Sequence, residues 1–320
     1  MHQSSKQAWR TFVYLLLAAA AVLGACADPA ADQVKQKNVA LIVRMKHGDY
    51  WRTVKWGAEM AAREFGVNVN FYAPDYEEDV KGQLAQVRQA FADGTAAVVI
   101  APDSQQVLDE ATSRAKEQRI PVLIIDSELT GPGVVSWIGT DHVDSGKRAG
   151  EKLIELVGTH GRIAVLGGGN TAQREKGLLE AIFHYPGVTI VAREGASDQN
   201  QASELAARMI DSHSLDGIVA LNAVAALGAA QAIESKGLAE KVKVVAIDSP
   251  PDVLAYIQEG VIQATIMQNP FSMGYLGVKH AVEAMNGLHV PSRIDTGTKI
   301  IDMDNMFWSE NQKLLFPFVK

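Results

Sequence analysis

The chain has 320 residues, enough for two domains of ordinary size, and 47% of them are hydrophobic while 21% are charged. That composition excludes a disordered chain, a collagen, a long coiled coil and a membrane protein with many spans. A net charge of −7 without basic runs argues against a nucleic-acid partner, and a single cysteine excludes an intrachain disulfide.

The chain opens with a pattern typical of an export signal over residues 1–25. Two basic residues carry its only charges, and the apolar run Phe12–Leu23 is short for a membrane-spanning helix. The run ends in LGAC, which resembles a bacterial lipobox with Cys26 as the lipidated residue. We therefore expect residues 1–25 to be removed, 26–37 to form a lipidated cysteine and tether, and the mature protein to lie outside the cytoplasm, anchored to the cell membrane. An ordinary secretory signal with an unmodified cysteine is the alternative.

From Val39 onward, short apolar runs alternate with amphipathic stretches. The apolar runs are nearly continuous in Val, Ile, Leu and Ala, which is typical of parallel strands buried on both faces. The alternation predicts an α/β fold with helices on both faces of a parallel sheet. The predicted strands are 39–43, 67–72, 97–101, 122–126, 135–138, 162–166, 188–192, 218–221, 244–247 and 298–301. The predicted helices are 51–65, 80–92, 105–118, 145–157, 172–183, 201–211, 223–236 and 271–285.

The pattern repeats in the second half of the chain. The stretches that end at Ala101 and Leu221 are alike, and so are those around Asp126 and Asp248, in the same order. The repeat predicts two lobes of one architecture with both aspartates at carboxyl ends of strands, where open α/β sheets bind ligands. No Pro/Gly/Ser-rich linker separates the lobes, so we expect several chain crossings, one of them at 137–141.

Several short segments carry a family resemblance: VALIV at 39–43 followed by Tyr50-Trp51, IPVLIID at 120–126, GTD at 139–141, QREKG at 173–177, ALGA at 226–229, Ile247-Asp248 and ATIMQ at 264–268. In this order and spacing they resemble the type 1 periplasmic binding proteins, in the ribose-binding-like, sugar-specific branch. The resemblance covers about residues 38–303.

The resemblance implies a fold and a partner. The expected fold is two doubly wound, Rossmann-like parallel-sheet lobes joined by a multi-strand hinge, with one ligand closed between them. Residues 38–140 with 269–297 would form the N-terminal lobe, and 141–268 with 298–320 the C-terminal lobe. Such a protein, a monomer, would deliver its ligand to the membrane permease of an ABC importer.

The candidate ligand-binding residues stand near the ends of predicted strands. Arg44 follows the first strand, where a guanidinium can donate a forked pair of hydrogen bonds. Tyr50 and Trp51 match the family's aromatic pair, on whose rings the C–H face of a sugar can lie. Asp126 and Asp248 can accept hydrogen bonds from hydroxyl groups. The structural alternatives are a surface arginine, an aromatic staple at a helix start and N-cap aspartates.

Four further residues complete the predicted set. Arg174 matches the family arginine that contacts the sugar from the second lobe. Asn222 and Gln268 can each donate and accept hydrogen bonds. Ser127 stands where the family often has an arginine, so one donor of the family is absent here. Asp103, after the third predicted strand, is a further candidate.

The charges of this set indicate the kind of ligand. Two arginines against two aspartates suit a neutral polyhydroxylated molecule, a pentose or a hexose, better than a phosphate or a dicarboxylate. The chain has no G-x-S-x-G or H-E-x-x-H motif, and its eight histidines lack metal-ligand spacing. We therefore predict a binding protein rather than an enzyme, with no cofactor and no metal.

Three other functions match parts of the sequence. The turn at 167–172 formally fits the dinucleotide motif G-x-G-x-x-A, but Glu194 lies farther on than the usual ribose-binding acid, and an exported enzyme would lack a nicotinamide pool. The LacI-type repressors share the core fold, but they carry a helix-turn-helix where this chain has an export signal. A receptor lipoprotein that passes a sugar or a furanose-like quorum signal to a membrane sensor kinase fits the sequence as well as an importer component does.

Overall fold

The computed structural model describes residues 36–169 and 171–316 of the chain. The predicted signal peptide, the predicted lipidation site Cys26 and most of the predicted tether lie outside these residues, as does Asn170. None of the described helices combines the length and the apolar character that crossing a bilayer requires.

Strands and helices alternate along the described chain. The strands are β1 (Asn38–Ile42), β2 (Asn68–Tyr72), β3 (Ala97–Ile100), β4 (Val122–Ile125), β5 (Val134–Gly139), β6 (His160–Gly167), β7 (Gly187–Gly195), β8 (Gly217–Ala220), β9 (Lys243–Ile247), β10 (Ala264–Met267), β11 (Arg293–Asp295) and β12 (Lys299–Asp302). The helices are α1 (Asp49–Phe65), α2 (Val80–Ala92), α3 (Gln105–Gln118), α4 (His142–Val157), α5 (Ala172–Phe183), α6 (Gln199–Ser212), α7 (Ala223–Ser235), α8 (Pro251–Gln258), α9 (Pro270–Met285) and α10 (Ser309–Leu315).

The inner strands are apolar because both of their faces are covered. Every residue of β3, β4, β8 and β10 is buried, whereas β2 and β7, at the sheet edges, mix buried and more exposed positions. This burial explains why nearly continuous runs of Val, Ile, Leu and Ala, rather than alternating patterns, mark the strands in the sequence.

Two six-stranded sheets with the same strand order form two α/β lobes. The first sheet has the order β11-β5-β4-β3-β1-β2, and the second has the order β12-β10-β9-β8-β6-β7. The strands correspond one to one, β4 with β9 and β5 with β10, so the predicted fold class and the internal repeat are confirmed. One pair differs, because β11 is parallel to β5 whereas β12 is antiparallel to β10. These two strands belong to one stretch of chain that leaves the first sheet and enters the second.

Three chain crossings join the lobes. Strand β5 leads from the first sheet into α4, β10 leads from the second sheet into α9, and β11 passes into β12. Helix α4 packs against α5 and the second sheet, while α9 packs against α1 and the first sheet. The expected multi-strand hinge is thus confirmed, and such a hinge permits bending while it resists twisting.

Reciprocal glycines bring one pair of helices close together in each lobe. In the α1–α9 pair, a Cβ at Gly57 or Gly274 would overlap the backbone of the partner helix. In the α4–α5 pair the same holds for Gly146 and Gly177, and the neighbour of Gly146 is the carbonyl of Arg174. The helices meet backbone to backbone at these points, so the placement of a predicted site residue depends on a glycine.

Some elements differ from the sequence prediction. The short elements β10, β11, α8 and α10 are absent from the predicted set, since segments of 3–8 residues leave little room for a periodic pattern. Helix α4 begins at His142 rather than Ser145 because Asp141 is its N-cap. The Asp141 side chain accepts hydrogen bonds from the backbone N–H groups of Val143 and Asp144.

Candidate ligand-binding site

Two aspartates occupy matched positions at the carboxyl ends of the two sheets. Asp126 follows β4 with φ 62°, and Asp248 follows β9 with φ 77°. The backbone N–H of Asp126 donates to the carbonyl of Ile138 at 3.0 Å, and that of Asp248 donates to the carbonyl of Ile266 at 3.0 Å. A left-handed backbone is costly for a residue other than glycine, and such strain concentrates at functional sites. The repeat in the sequence therefore extends to the backbone of these two residues.

Tyr50 and Arg44 approach the carboxylate of Asp126. The Tyr50 hydroxyl donates to Oδ1 of Asp126 at 2.6 Å, and Nη1 of Arg44 lies 3.7 Å from Oδ2. Burial raises the pKa of the Tyr50 phenol well above its usual value, and the charge of Asp126 raises it further. Asp248 adds to this rise of the pKa and Arg174 opposes it. Charges of the second lobe thus act on a side chain of the first.

Arg44 is shared among three carboxylates. Its Nε donates to Oδ1 of Asp103 at 2.6 Å, and its Nη2 lies 4.0 Å from Oε2 of Glu77. The side chain of Asp103 is 1% exposed, and burial raises the pKa of its carboxyl while Arg44 opposes that rise. Burial would lower the pKa of Arg44 itself, but the surrounding carboxylates, with Asp126 first among them, outweigh burial and raise it. The guanidinium of Arg44 therefore keeps its positive charge.

Gln83 joins the strand ends that carry these groups. Its Nε2 donates to the carbonyls of Val43 at 3.2 Å and Ala101 at 2.8 Å. Its Oε1 accepts a hydrogen bond from the backbone N–H of Asp103 at 2.8 Å. Gln83 is fully buried, so its amide ties the ends of β1 and β3 together and holds Arg44 beside Asp103.

The two predicted aromatic residues have different surroundings. Tyr50 is half-buried and reaches Asp126, while Trp51 is 2% exposed and packs in the first-lobe core. The indole Nε1 of Trp51 donates to Oε1 of Glu77 at 2.9 Å, and its ring meets that of Tyr50 edge-on, with 5.0 Å between centroids. Trp51 supports Tyr50 and Glu77 from the side of the core.

Arg174 lies at the centre of the second-lobe set. Its Nη1 donates to the carbonyl of Leu221 at 2.8 Å and to Oδ2 of Asp248 at 3.1 Å, and its Nε donates to Nδ1 of His142 at 3.3 Å. The amide of Gln268 donates to the other oxygen of Asp248, Oδ1, at 2.7 Å. Like its counterpart in the first lobe, Asp248 therefore has one oxygen on a neutral donor and the other beside an arginine.

The remaining predicted residues differ in how much of their hydrogen-bonding capacity the fold uses. Asn222 caps α7, since its Oδ1 accepts from the N–H of Ala225 at 2.8 Å, and its Nδ2 donates to the carbonyl of Gly168 at 3.1 Å. Oγ of Ser127 and Oε1 of Gln268 are buried and have no hydrogen-bond partner within 36–169 and 171–316. A buried polar atom without a partner is costly, so a ligand group that reached either atom would gain a hydrogen bond that the fold leaves unmade.

Two neighbours of the site were not identified from the sequence. His142 stands directly after the GTD segment, where a lone histidine at a helix start forms no recognisable pattern. Glu77 belongs to an acidic loop between β2 and α2, which the sequence does not distinguish from a solvated run of charge. His142 belongs to the site through its contact with Arg174, and Glu77 through its contact with Trp51.

The arrangement offers hydrogen-bond donors and acceptors. Each lobe contributes one arginine–aspartate pair, and Asp103 and Glu77 make the wall of the first lobe acidic. In the part of the chain that the structure describes, no group of three or more His, Cys, Asp and Glu could hold a metal ion. Such a set fits an uncharged ligand with several hydroxyls and repels an anion.

Comparisons with known proteins agree on one family. The chain matches the family model described as a periplasmic binding protein domain over residues 39–289. The ribose import binding protein of Salmonella typhimurium is 27% identical over 280 residues, which cover 86% of this chain and 94% of that protein. The D-allose-binding periplasmic protein of Escherichia coli is 27% identical over 278 residues, which cover 82% of this chain and 89% of that protein.

Solved structures are similar over the same length. A carbohydrate transporter solute binding protein from Agrobacterium radiobacter, in complex with D-arabinose, is 28% identical to this chain. The two superpose with a TM-score of 0.77, and the match covers 88% of this chain and 99% of the other.

Proposed function

The chain belongs to the periplasmic binding protein family, and from that membership we propose that it captures a neutral monosaccharide, a pentose or a hexose, between its lobes and delivers it to an ABC importer. The relatives are sugar-binding transport proteins, not enzymes, and the family implies a location outside the cytoplasm. One observation carries the proposal, namely that Asp126 and Asp248 stand in matched left-handed conformations, each beside an arginine, at the carboxyl ends of two equivalent sheets.

The charges of the site support a neutral ligand. Arg44 and Arg174 each have a carboxylate partner, so neither is left as a free cation for an anion. The additional carboxylates of Asp103 and Glu77 oppose a phosphate or a carboxylate. Ribose and allose, after which two of the relatives are named, and D-arabinose, bound in the similar structure, are all uncharged.

We assign the hydroxyl groups of the sugar to polar side chains from both lobes and the packing of its ring to the aromatic pair Tyr50 and Trp51. A missing or inverted hydroxyl would leave a buried polar group without its partner, at a cost of roughly 1–3 kcal/mol each, and the site would select among sugars in this way. The proposed ligand-binding residues are Arg44, Tyr50, Trp51, Asp126, Ser127, Arg174, Asn222, Asp248 and Gln268.

Binding is proposed to close the hinge. We take 38–140 with 269–297 as the N-terminal lobe and 141–268 with 298–320 as the C-terminal lobe, which the membership of the two sheets supports. A sugar that touches both lobes favours the closed form and shifts the population toward it. A smaller radius of gyration in X-ray scattering on addition of the sugar is expected, and an unchanged radius would contradict closure.

The anchor is proposed from the sequence. Cys26 is the last residue of the LGAC segment and would carry a diacylglycerol, which holds the protein on the membrane without spanning it. Cys26→Ser is expected to abolish incorporation of labelled palmitate and to move the protein from the membrane fraction to the soluble fraction. Labelling that persists in the variant would overturn the assignment.

A ligand screen tests the function. Purified protein is mixed with pentoses, hexoses, polyols and furanose-like quorum signals, with D-ribose 5-phosphate and a sugar acid as charged counterparts. One or a few neutral monosaccharides should raise the melting temperature, bind in calorimetry with one site and be recovered unchanged. Binding of only the charged counterparts, or chemical conversion of the bound sugar, would overturn the proposal.

A further inference from the structure

His142 lies where the hinge enters the second lobe. It is the first residue of α4, and the N-cap Asp141 before it comes directly after the crossing from β5. The cap bonds of Asp141, at 3.0 Å to each of two backbone N–H groups, fix the start of the helix. The position of the His142 backbone is therefore set by the hinge and the cap, not by a ligand.

The His142 ring is an acceptor for the central arginine of the site. Nε of Arg174 donates to Nδ1 of His142 at 3.3 Å, while Nη1 of Arg174 donates to the carbonyl of Leu221 and to the carboxylate of Asp248. The Arg174 side chain is 9% exposed, so each of these bonds replaces water and helps to decide how the guanidinium is turned.

This contact determines the protonation state that the site requires. A ring nitrogen that accepts a hydrogen bond carries no proton, so the neutral ring must hold its proton on Nε2. A protonated ring would present N–H groups at both nitrogens and a like charge to Arg174. The neutral form alone supports the observed orientation of the guanidinium.

We propose that His142 is a positioning residue for sugar binding, whose neutral imidazole holds the Arg174 guanidinium toward Asp248 and the sugar. Protonation of the imidazole frees the guanidinium from this orientation and thereby weakens the binding of the sugar. The sugar part of this inference rests on the proposed function of the cleft. The contact between the two side chains does not.

Charged groups from both lobes surround the ring. Burial lowers the pKa of His142, and the neighbouring Arg174 lowers it further. Asp126 and Glu128 of the first lobe and Asp248 of the second act in the opposite direction. The net shift is downward, so the ring is neutral at pH 7.5 and the contact is intact there.

The direction of the pH effect follows by linkage. If the bound form requires the neutral ring, affinity is full above the pKa of His142 in the unliganded protein and is lost as the pH falls through it. In the limit where the bound form excludes the proton, Kd rises about tenfold for each pH unit below that pKa.

A ligand-free measurement tests the contact. Long-range proton–nitrogen NMR of the imidazole should show the Nε2–H tautomer at pH 7.5 and a pKa below the ordinary histidine value. Arg174→Gln should raise that pKa, because a cation is removed from beside the ring. A proton on Nδ1 in the neutral protein, or a pKa that Arg174→Gln leaves unchanged, would overturn the inference.

A binding measurement tests the positioning role. Calorimetry at pH 7.5 and at one pH unit below the pKa that the NMR measurement gives for His142 uses whichever of D-ribose, D-allose and D-arabinose binds most tightly. In His142→Asn, Oδ1 replaces Nδ1 as an acceptor that does not titrate, so this variant should bind well at both pH values while the wild type weakens at the lower one. His142→Leu, which has no acceptor, should bind at least tenfold more weakly at both values.

The control is His184→Gln, which removes an exposed histidine at the far end of the helix that carries Arg174 and should keep the wild-type pH profile. Equal pH ratios in the wild type and His142→Asn, or wild-type affinity in His142→Leu, would refute the positioning role. If none of the three sugars binds, the proposed function fails, and the NMR measurement alone decides whether His142 positions Arg174.

Discussion

The two lobes present the same pair, an arginine beside a left-handed aspartate, but they support the arginine differently. In the first lobe Arg44 is fixed by a buried carboxylate, that of Asp103, with Glu77 nearby. In the second lobe Arg174 is fixed by a carbonyl oxygen and the neutral ring of His142. The repeat has thus kept the groups that face the cleft while the groups behind them diverged.

The difference has an electrostatic meaning. The first-lobe arginine is neutralised locally and sits in an acidic wall, whereas Arg174 shares its charge with Asp248 alone among the described carboxylates within ion-pair distance. In a poorly hydrated cleft, a charge with one opposing carboxylate beside it acts more strongly on a ligand than a charge with three. We therefore expect Arg174 to contribute more to affinity than Arg44.

Replacement of each arginine tests whether Arg174 contributes more to affinity than Arg44, and it should give the largest loss of affinity among the variants. Arg174→Gln removes the donor to Leu221 and Asp248 and should weaken sugar binding roughly a hundredfold, which corresponds to about 2.8 kcal/mol. Arg44→Gln should cost only about tenfold, because the buried carboxyl of Asp103 can take up a proton when its partner is lost. Calorimetry with a sugar found in the screen measures both, and equal losses would contradict the ranking.

Alanine substitutions at the close helix–helix contacts distinguish an effect on stability from an effect on sugar binding. Gly146→Ala and Gly57→Ala each push a methyl group into the backbone of a neighbouring helix and should lower the free energy of unfolding by about 2–3 kcal/mol in urea denaturation. Only Gly146→Ala should also weaken binding, since its clash is with the carbonyl of Arg174. Gly66→Ala is the control, with φ 68° but open space around it, and should cost about 1 kcal/mol without affecting binding. Equal binding by the Gly146 and Gly57 variants would refute the link to Arg174.

The left-handed aspartate of the first lobe comes next in expected effect. Asp126→Ala should weaken binding at least tenfold, about 1.4 kcal/mol, with the fold intact. Asp126→Asn tolerates the same backbone and removes the charge alone, so it separates strain from hydrogen bonding. Unchanged affinity in both variants, measured by calorimetry, would remove Asp126 from the site.

The support behind Arg44 is expected to give the smallest effect. A carboxyl whose pKa is raised on folding contributes stability below its unfolded pKa and loses it as the pH rises through the folded value, so ionised Asp103 opposes folding at neutral pH. Asp103→Asn should therefore leave the melting temperature at pH 7.5 no lower than that of the wild type, while sugar affinity falls roughly threefold. A clear loss of stability at pH 7.5 would show that the ion pair stabilises the fold.

The sequence predicts the cleft-facing groups better than their supports. Strands buried on both faces give continuous apolar runs, and the polar residues that follow those runs must lie at one edge of each sheet, so Asp126 and Asp248 could be located from pattern and repeat. The three-residue strand β11 has no such run. Gln83, His142 and Glu77 act through tertiary contacts between elements distant in sequence, and no local pattern reports those contacts.

The route of the chain through the hinge dictates an order of assembly. Helix α9 and strand β11, which complete the first lobe, are encoded after the whole of the second sheet except β12. A nascent first half therefore lacks the helix that covers its apolar face at α1 and the strand that borders β5. Although it is synthesised first, the amino-terminal half cannot finish folding until nearly the entire polypeptide has emerged, so the two halves mature together rather than in succession.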